Sequence, residues 1–184
     1  MRRAGPVLMA LGLALLVAAG CLALGNGAED LRAGAASARV LALLESSAAA
    51  PAETEAAVAG ESDCLGSLTI PKLKLELPIL SDWSYENLKT APCRYSGSAR
   101  DGDLVLLAHN YKTHFGPIRR LKPGDRVVFQ DTEGTVFEYQ VVDSAVVSPT
   151  AVEEVTAGSH DLTLITCTYG GKTRLVVSCD AVTE

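Results

Sequence analysis

At 184 residues the chain has room for one folded domain with appendages, because a single hydrophobic core is complete within about 100–200 residues. The net charge is −6 and the Lys and Arg residues are scattered along the chain, which excludes the dense basic footprint that nucleic-acid binding requires. Five cysteines occur, at 21, 64, 93, 167 and 179, none in CxxC spacing, so the usual zinc and thioredoxin-like patterns are excluded too.

Arg2 and Arg3 precede an uncharged stretch of nineteen residues, 6–24. A helix rises about 1.5 Å per residue, so roughly twenty apolar residues cross the hydrocarbon layer, and this stretch reads as a transmembrane signal anchor. The paired arginines favour a cytoplasmic N-terminus, residues 1–5, and place everything after Leu24 outside the membrane. The alternative is a cleaved signal peptide, whose apolar core is normally only about 7–15 residues; Ala19-Gly20-Cys21 has a faint likeness to a lipoprotein cleavage site.

Residues 25–63 are rich in Ala, Glu, Ser and Gly and contain no aromatic residue. They read as an extracytoplasmic stalk with little to give a core. Leu31, Val40, Leu41 and Leu44 form a weak helical stripe within it, ending before Pro51, whose ring removes a donor and blocks continuation.

Residues 64–184 carry the folded domain. Period-two alternation appears in Leu73, Leu75, Leu77 and Ile79 and again in Phe137, Tyr139 and Val141. Further strands are predicted over residues 104–108, 126–130, 162–167 and 174–179, each short, apolar or β-branched, and bounded by Gly, Pro or Asp. Lys122-Pro123-Gly124-Asp125 and Asp131-Thr132-Glu133-Gly134 have turn chemistry and predict hairpins. Only 85–89, 117–121 and 152–155 look helical. Many short strands with few helices predict a mainly β, closed seven- or eight-stranded barrel, which leaves no exposed edge.

Cys167 ends the buried-looking strand Thr163-Leu164-Ile165-Thr166-Cys167 and opens a polar turn. A thiol there is held by a rigid element yet faces a loop, as a nucleophile must. Arg174 starts the next strand seven residues on, where a hairpin would bring its guanidinium near the sulfur to favour thiolate and supply donors to an oxyanion. His109 follows the apolar strand of residues 104–108, and imidazole is the side chain best matched to proton transfer near neutral pH. Taken singly, a cysteine in a strand is more often a small buried hydrophobe, and His109, His114 and His160 read as ordinary loop histidines. His114 also lies in the loop 111–116, within reach of a substrate. Cys64, Cys93 and Cys179 read equally as disulfide partners or as free buried thiols.

The segment Thr163-Leu164-Ile165-Thr166-Cys167 followed by Arg174, with Ala108-His109-Asn110 upstream, resembles the sortases. Their hallmark is a TLxTC segment ending in the nucleophile, a histidine after an earlier strand and an arginine on the following one. The resemblance covers residues 65–182 and includes Ile70-Pro71 and the run 121–125. It implies an eight-stranded sortase barrel that cleaves a C-terminal sorting signal of LPxTG type on secreted proteins. The acyl group would pass through a thioacyl enzyme to an amine, either of a cell-wall precursor or of a pilin lysine. By the same resemblance Cys167 is the nucleophile, His109 the acid and base, Arg174 the anchor for substrate and oxyanion, and Thr166 a weaker substrate contact. The short Cys-to-Arg spacing is similar to the compact class B-like branch, although the long helical insertion typical of class B is missing between Tyr139 and Leu162. Glu153 and Glu154 have no acidic partners resembling a calcium loop, and no cofactor is expected. Two other readings stand beside the transpeptidase: a cysteine hydrolase on the same barrel and an anchored, non-catalytic β-barrel binding module.

Overall fold

The computed structural model describes residues 4–49, 64–151 and 160–182. Eight strands close into one barrel: β1 (Cys64–Ile70), β2 (Leu75–Leu80), β3 (Cys93–Ser96), β4 (Leu104–Ala108), β5 (Arg126–Asp131), β6 (Val136–Val147), β7 (Leu162–Cys167) and β8 (Arg174–Ala181). Around the barrel their order is β1-β2-β3-β4-β7-β8-β6-β5, and β5 closes antiparallel onto β1. Two helices accompany them, α1 (Ala4–Ala49) and α2 (Tyr85–Thr90).

Alternation builds the interior. Leu104, Leu106 and Ala108 of β4, Leu162 and Leu164 of β7 and Val177 and Cys179 of β8 point inward to meet Leu68, Ile79, Phe129 and Tyr139. Burying each such aliphatic side chain contributes about 1.5–3 kcal/mol, so this core fixes the register of β4, β7 and β8. The intervening residues Val105, Ile165 and Val176 form a second cluster on the outer face, with Leu107, Tyr95 and Val147 against it. This central part of the sheet is therefore largely apolar on both faces, which is why residues 104–108 read as a continuous apolar run and 162–167 as one interrupted only by Thr163 and Thr166.

The alternation noted at residues 73–79 crosses a break. Pro71 opens a short 3-10 turn, Pro71–Leu73, and Lys74 adopts left-handed φ of 53° before β2 begins. The Asp131–Gly134 turn does join the hairpin partners β5 and β6. The expected hairpin at 122–125 is corrected: that turn connects a 3-10 segment, Gly116–Arg120, to β5, and β4 and β5 are not neighbours. Turn chemistry at 122–125 specifies a reversal but carries no information about which strands pair. Residues 85–89 are helical as expected, with the Ser84 hydroxyl accepting from Asn87 N at 3.0 Å as an N-cap worth about 1 kcal/mol. The helical reading of 152–155 lies outside the described residues.

The stalk reading is also corrected. Helix α1 runs unbroken through residues 25–49, and Ala33 and Ser37 are buried against the barrel while Val40 packs on Leu80, Leu88, Ala91 and Cys93. Composition pointed to a stalk because the segment has no aromatic residue and is dominated by Ala, Glu, Ser and Gly. Small residues serve here, since Ala and Ser let the helix backbone approach the barrel closely, and alanine is the strongest helix former. The described part of the helix runs to Ala49, short of Pro51. Residues 50–63 lie outside the described residues.

Candidate active site

The ladder between β4 and β7 is parallel and ends at Ala108 opposite Thr166. The ladder between β7 and β8 is antiparallel and pairs Thr166 with Leu175 and Cys167 with Arg174. Cys167 and Arg174 thus share the last rung between β7 and β8, and His109 directly follows Ala108, one residue beyond the end of the neighbouring β4–β7 ladder. Neighbouring strands lie about 4.8 Å apart. Continuing the alternation from Ile165 and Val176 puts Cys167 and Arg174 on the outer face, beside the second apolar cluster.

Each member is held by its own local device. Thr166 is buried, and its Oγ1 donates to the Ala108 carbonyl at 2.9 Å, tying β7 to the residue before His109. Thr166 is thus a strap between strands, and it also contributes to the lining of the pocket beside Cys167. The loop after His109 folds tightly, with Phe115 N donating to the His109 carbonyl at 3.2 Å and His114 N and Gly116 N both donating to the Tyr111 carbonyl. At Gly116 a Cβ would lie 2.5 Å from the Asn110 carbonyl oxygen, so only glycine permits that closure. Between β7 and β8, Gly170 and Gly171 adopt φ of 81° and 70°, a conformation glycine enters without steric cost. Thr168 N donates to the Thr173 carbonyl at 3.0 Å, and the turn brings Arg174 back opposite Cys167.

The Arg174 guanidinium folds over this turn, with Nη1 donating to the carbonyls of Gly171 at 3.0 Å and Thr173 at 3.2 Å. Among the described residues it pairs with no carboxylate, and its other donors are available to an anionic group. The His109 ring is half-buried and packs against Tyr111, centroids 5.0 Å apart. Burial, and secondarily the Lys89 charge, hold its pKa below the ordinary imidazole value, so it is neutral at physiological pH. A pocket of about 230 Å³ adjoins Cys167, lined by Asn110, Gly116, Arg119, Val146, Tyr169 and Leu175. The Arg119 guanidinium lies 5.0 Å from the centre of the Tyr169 ring.

The other cysteines differ from Cys167. All five are free, so no disulfide joins Cys64, Cys93 and Cys179. Cys93 and Cys179 are buried, and burial pushes their thiols up to about 12. Burial raises Cys64 too, against opposing bonds to the carbonyls of Gly66 and Ile79. Cys21 is exposed on the apolar stretch of α1.

His114 has no access to substrate, which corrects its reading as a substrate contact. It is fully buried beneath α1, its ring 5.5 Å from that of Tyr111, and neither ring nitrogen has a hydrogen-bond partner of normal geometry. Burial lowers its pKa from 6.5 to about 4, offset in part by nearby backbone of Ala33 and Thr90. Between those two values the unfolded chain takes up a proton that the folded chain refuses, so folding stability is full above about pH 6.5 and falls as the pH drops toward 4. The loss approaches roughly 3 kcal/mol for a fully buried imidazole. Denaturant titrations at pH 7 and pH 5 are expected to show this loss in the native chain and a smaller one in His114→Leu. His160, by contrast, places Nδ1 2.7 Å from Asp180 Oδ1, away from the rung.

The sequence pointed to Cys167, Arg174 and His109 and missed Tyr111, Arg119 and Tyr169. Tyr111 stands two residues from His109 and gave a local hint. Arg119 and Tyr169 are fifty residues apart and meet only through the barrel's closure.

Residues 68–182 match the family model of the sortase domain. "Sortase A" of Bacillus anthracis is 32% identical over 139 residues, spanning 71% of this chain and 66% of that protein, just under two thirds of its length. Among solved structures, sortase C from Clostridium perfringens SM101 superposes with a TM-score of 0.56 at 29% identity, over 67% of this chain and 72% of that one. A Clostridium perfringens sortase D5 transpeptidase superposes with a TM-score of 0.65 over 81% of this chain and 99% of that one; at 19% identity it speaks for the fold alone.

Proposed function

Because the chain belongs to the sortase family, whose members are cysteine transpeptidases, we propose that it cleaves a C-terminal sorting signal of LPxTG type on secreted proteins and transfers the acyl fragment to an amine. The observation that carries this reading is the pairing of Cys167 with Arg174 across β7 and β8, with His109 immediately after the end of the adjoining strand β4.

In the proposed reaction the Cys167 sulfur attacks the carbonyl carbon of the scissile bond. His109 starts neutral, so it takes the thiol proton as the S–C bond forms. The oxygen of the tetrahedral intermediate, now anionic, is met by donors of Arg174. The C–N bond then breaks, His109 returns its proton to the departing amine, and a thioester remains on Cys167. An incoming amine attacks that thioester while His109 accepts its proton, and the thiol is restored as the new amide leaves. The acceptor is an amine of a cell-wall precursor or a pilin lysine. The apolar part of α1 supports membrane anchoring, and the arginines at 2 and 3 support a single pass with the catalytic barrel outside.

The test is an assay with an LPxTG-type peptide and an added amine. Ligated product is expected; release of acid alone would favour a hydrolase, and an inert protein would favour a binding module. Arg174→Lys is expected to lower kcat/KM by about 10²–10³, since one ammonium cannot reproduce the planar fork of donors. Turnover near that of the native chain would remove Arg174 from the mechanism.

A further inference from the structure

Helix α1 serves as a ruler, because one uninterrupted helix, Ala4–Ala49, both carries the apolar stretch and packs along the barrel. At its lower end a cleft of about 470 Å³ separates it from the catalytic rim. Ala23, Asn26 and Asp30 of the helix face Tyr111, Lys112 and Tyr169 across it. The helix is clamped at this level: Asp30 Oδ1 accepts from Thr113 N at 3.1 Å and from Thr113 Oγ1 at 2.9 Å. At its upper end, Leu41, Leu44 and Glu45 line a different cleft with Asp131, Thr132 and Gly134 of the β5–β6 turn.

The clamp at Asp30 and the upper cleft at residues 41–45 are eleven to fifteen residues apart along the helix, about 16–22 Å at its rise per residue. The end carrying Cys167 is therefore level with residues 23–30, immediately after the apolar stretch closes at Leu24, and the β5–β6 turn is at the far end.

The chemistry of the rim suits that position. Tyr169 is 75% exposed with Arg119 stacked on it, and Lys112 and Lys172 stand exposed on the same loops. In a chain of net charge −6 this puts three cations and an amphipathic ring at one end. Of the two acids nearby, Asp30 is engaged by Thr113 and Glu29 remains beside the cleft. Tyrosine, lysine and arginine are the residues that settle at a bilayer interface, and basic side chains there are drawn to anionic headgroups.

We infer that the catalytic rim rests on the outer surface of the bilayer, with Tyr169, Lys112, Arg119 and Lys172 among anionic headgroups, so that a scissile carbonyl reaches Cys167 from the headgroup layer. This inference rests on the anchored reading of α1 proposed above. The full chain, carrying Trp83→Phe, is placed in vesicles of phosphatidylcholine and phosphatidylglycerol containing a nitroxide lipid labelled near the headgroup. Tyr169→Trp supplies a reporter at the rim, and Thr132→Trp one at the opposite end. Strong, several-fold quenching at the rim with little at position 132 is expected. Equal quenching, or quenching at position 132 alone, in protein that floats with the vesicles overturns the orientation and leaves the anchor standing. Protein that fails to float with the vesicles overturns the anchor and the orientation together. In folded protein that floats, an unquenched reporter at position 169 sinks the proposal whatever the other reporter does.

Discussion

Cys167→Ala is expected to abolish both cleavage and ligation, a loss on the order of 10⁴-fold or more, as removal of a covalent nucleophile takes the whole reaction path with it. Mass spectrometry of the native chain with peptide and no amine should show an acyl adduct on the peptide containing Cys167, and none in the variant. The contrast with the other thiols makes this a sharp expectation. Cys93 and Cys179 sit at about 12 through burial, so neither offers thiolate to a substrate near neutral pH. An adduct on Cys64, Cys93 or Cys179, or a variant that still ligates, would move the chemistry off the rung. The substitution itself is mild for folding, because Cys167 is only partly buried and lies at the strand's end, beyond the interior core.

His109→Gln is expected to lower kcat/KM by about 10²–10⁴, the usual worth of a positioned general acid and base. Its pH behaviour follows from the environment. Burial first, and Lys89 second, hold the imidazole below its ordinary value. The acid limb of kcat/KM should accordingly lie below the normal histidine range, with activity falling as the pH drops and His109 takes a proton it must instead receive from sulfur. In His109→Gln that limb should vanish. Lys89→Gln, which removes the lesser cause, should move the limb upward by less than burial has moved it downward. An unchanged acid limb in His109→Gln would assign the titration to another group.

Strand β7 and the run before His109 were legible because both faces of that sheet are largely apolar, leaving an unbroken hydrophobic run of five residues in β4 and a six-residue β7 interrupted only by Thr163 and Thr166. Each run ends where a polar residue of chemical interest begins. Strand β3 was not legible: Cys93-Arg94-Tyr95-Ser96 is four residues long with mixed polarity, and only its neighbours β2 and β4 make it a strand. The left-handed residue at Lys74 was equally hidden, since the leucines either side of it keep an alternating pattern through a turn that breaks the strand.

Motif and spacing by themselves determined which residues to suspect: a thiol at a strand's end, a guanidinium across a glycine turn, an imidazole after a second apolar strand, and an apolar N-terminal stretch long enough to cross a bilayer. Those are local properties, set by side-chain type and by periods of two or three to four residues. Tertiary structure alone decided that β4 lies parallel to β7, which brings the end of the strand before His109 opposite the end of the strand that carries a cysteine fifty-eight residues away. It also decided that His114 is buried beneath α1, and that the alanine-rich helix packs on the barrel near the catalytic loop. Register between distant strands and the seating of small residues depend on how the whole core closes, and no stretch of chain carries that information within itself.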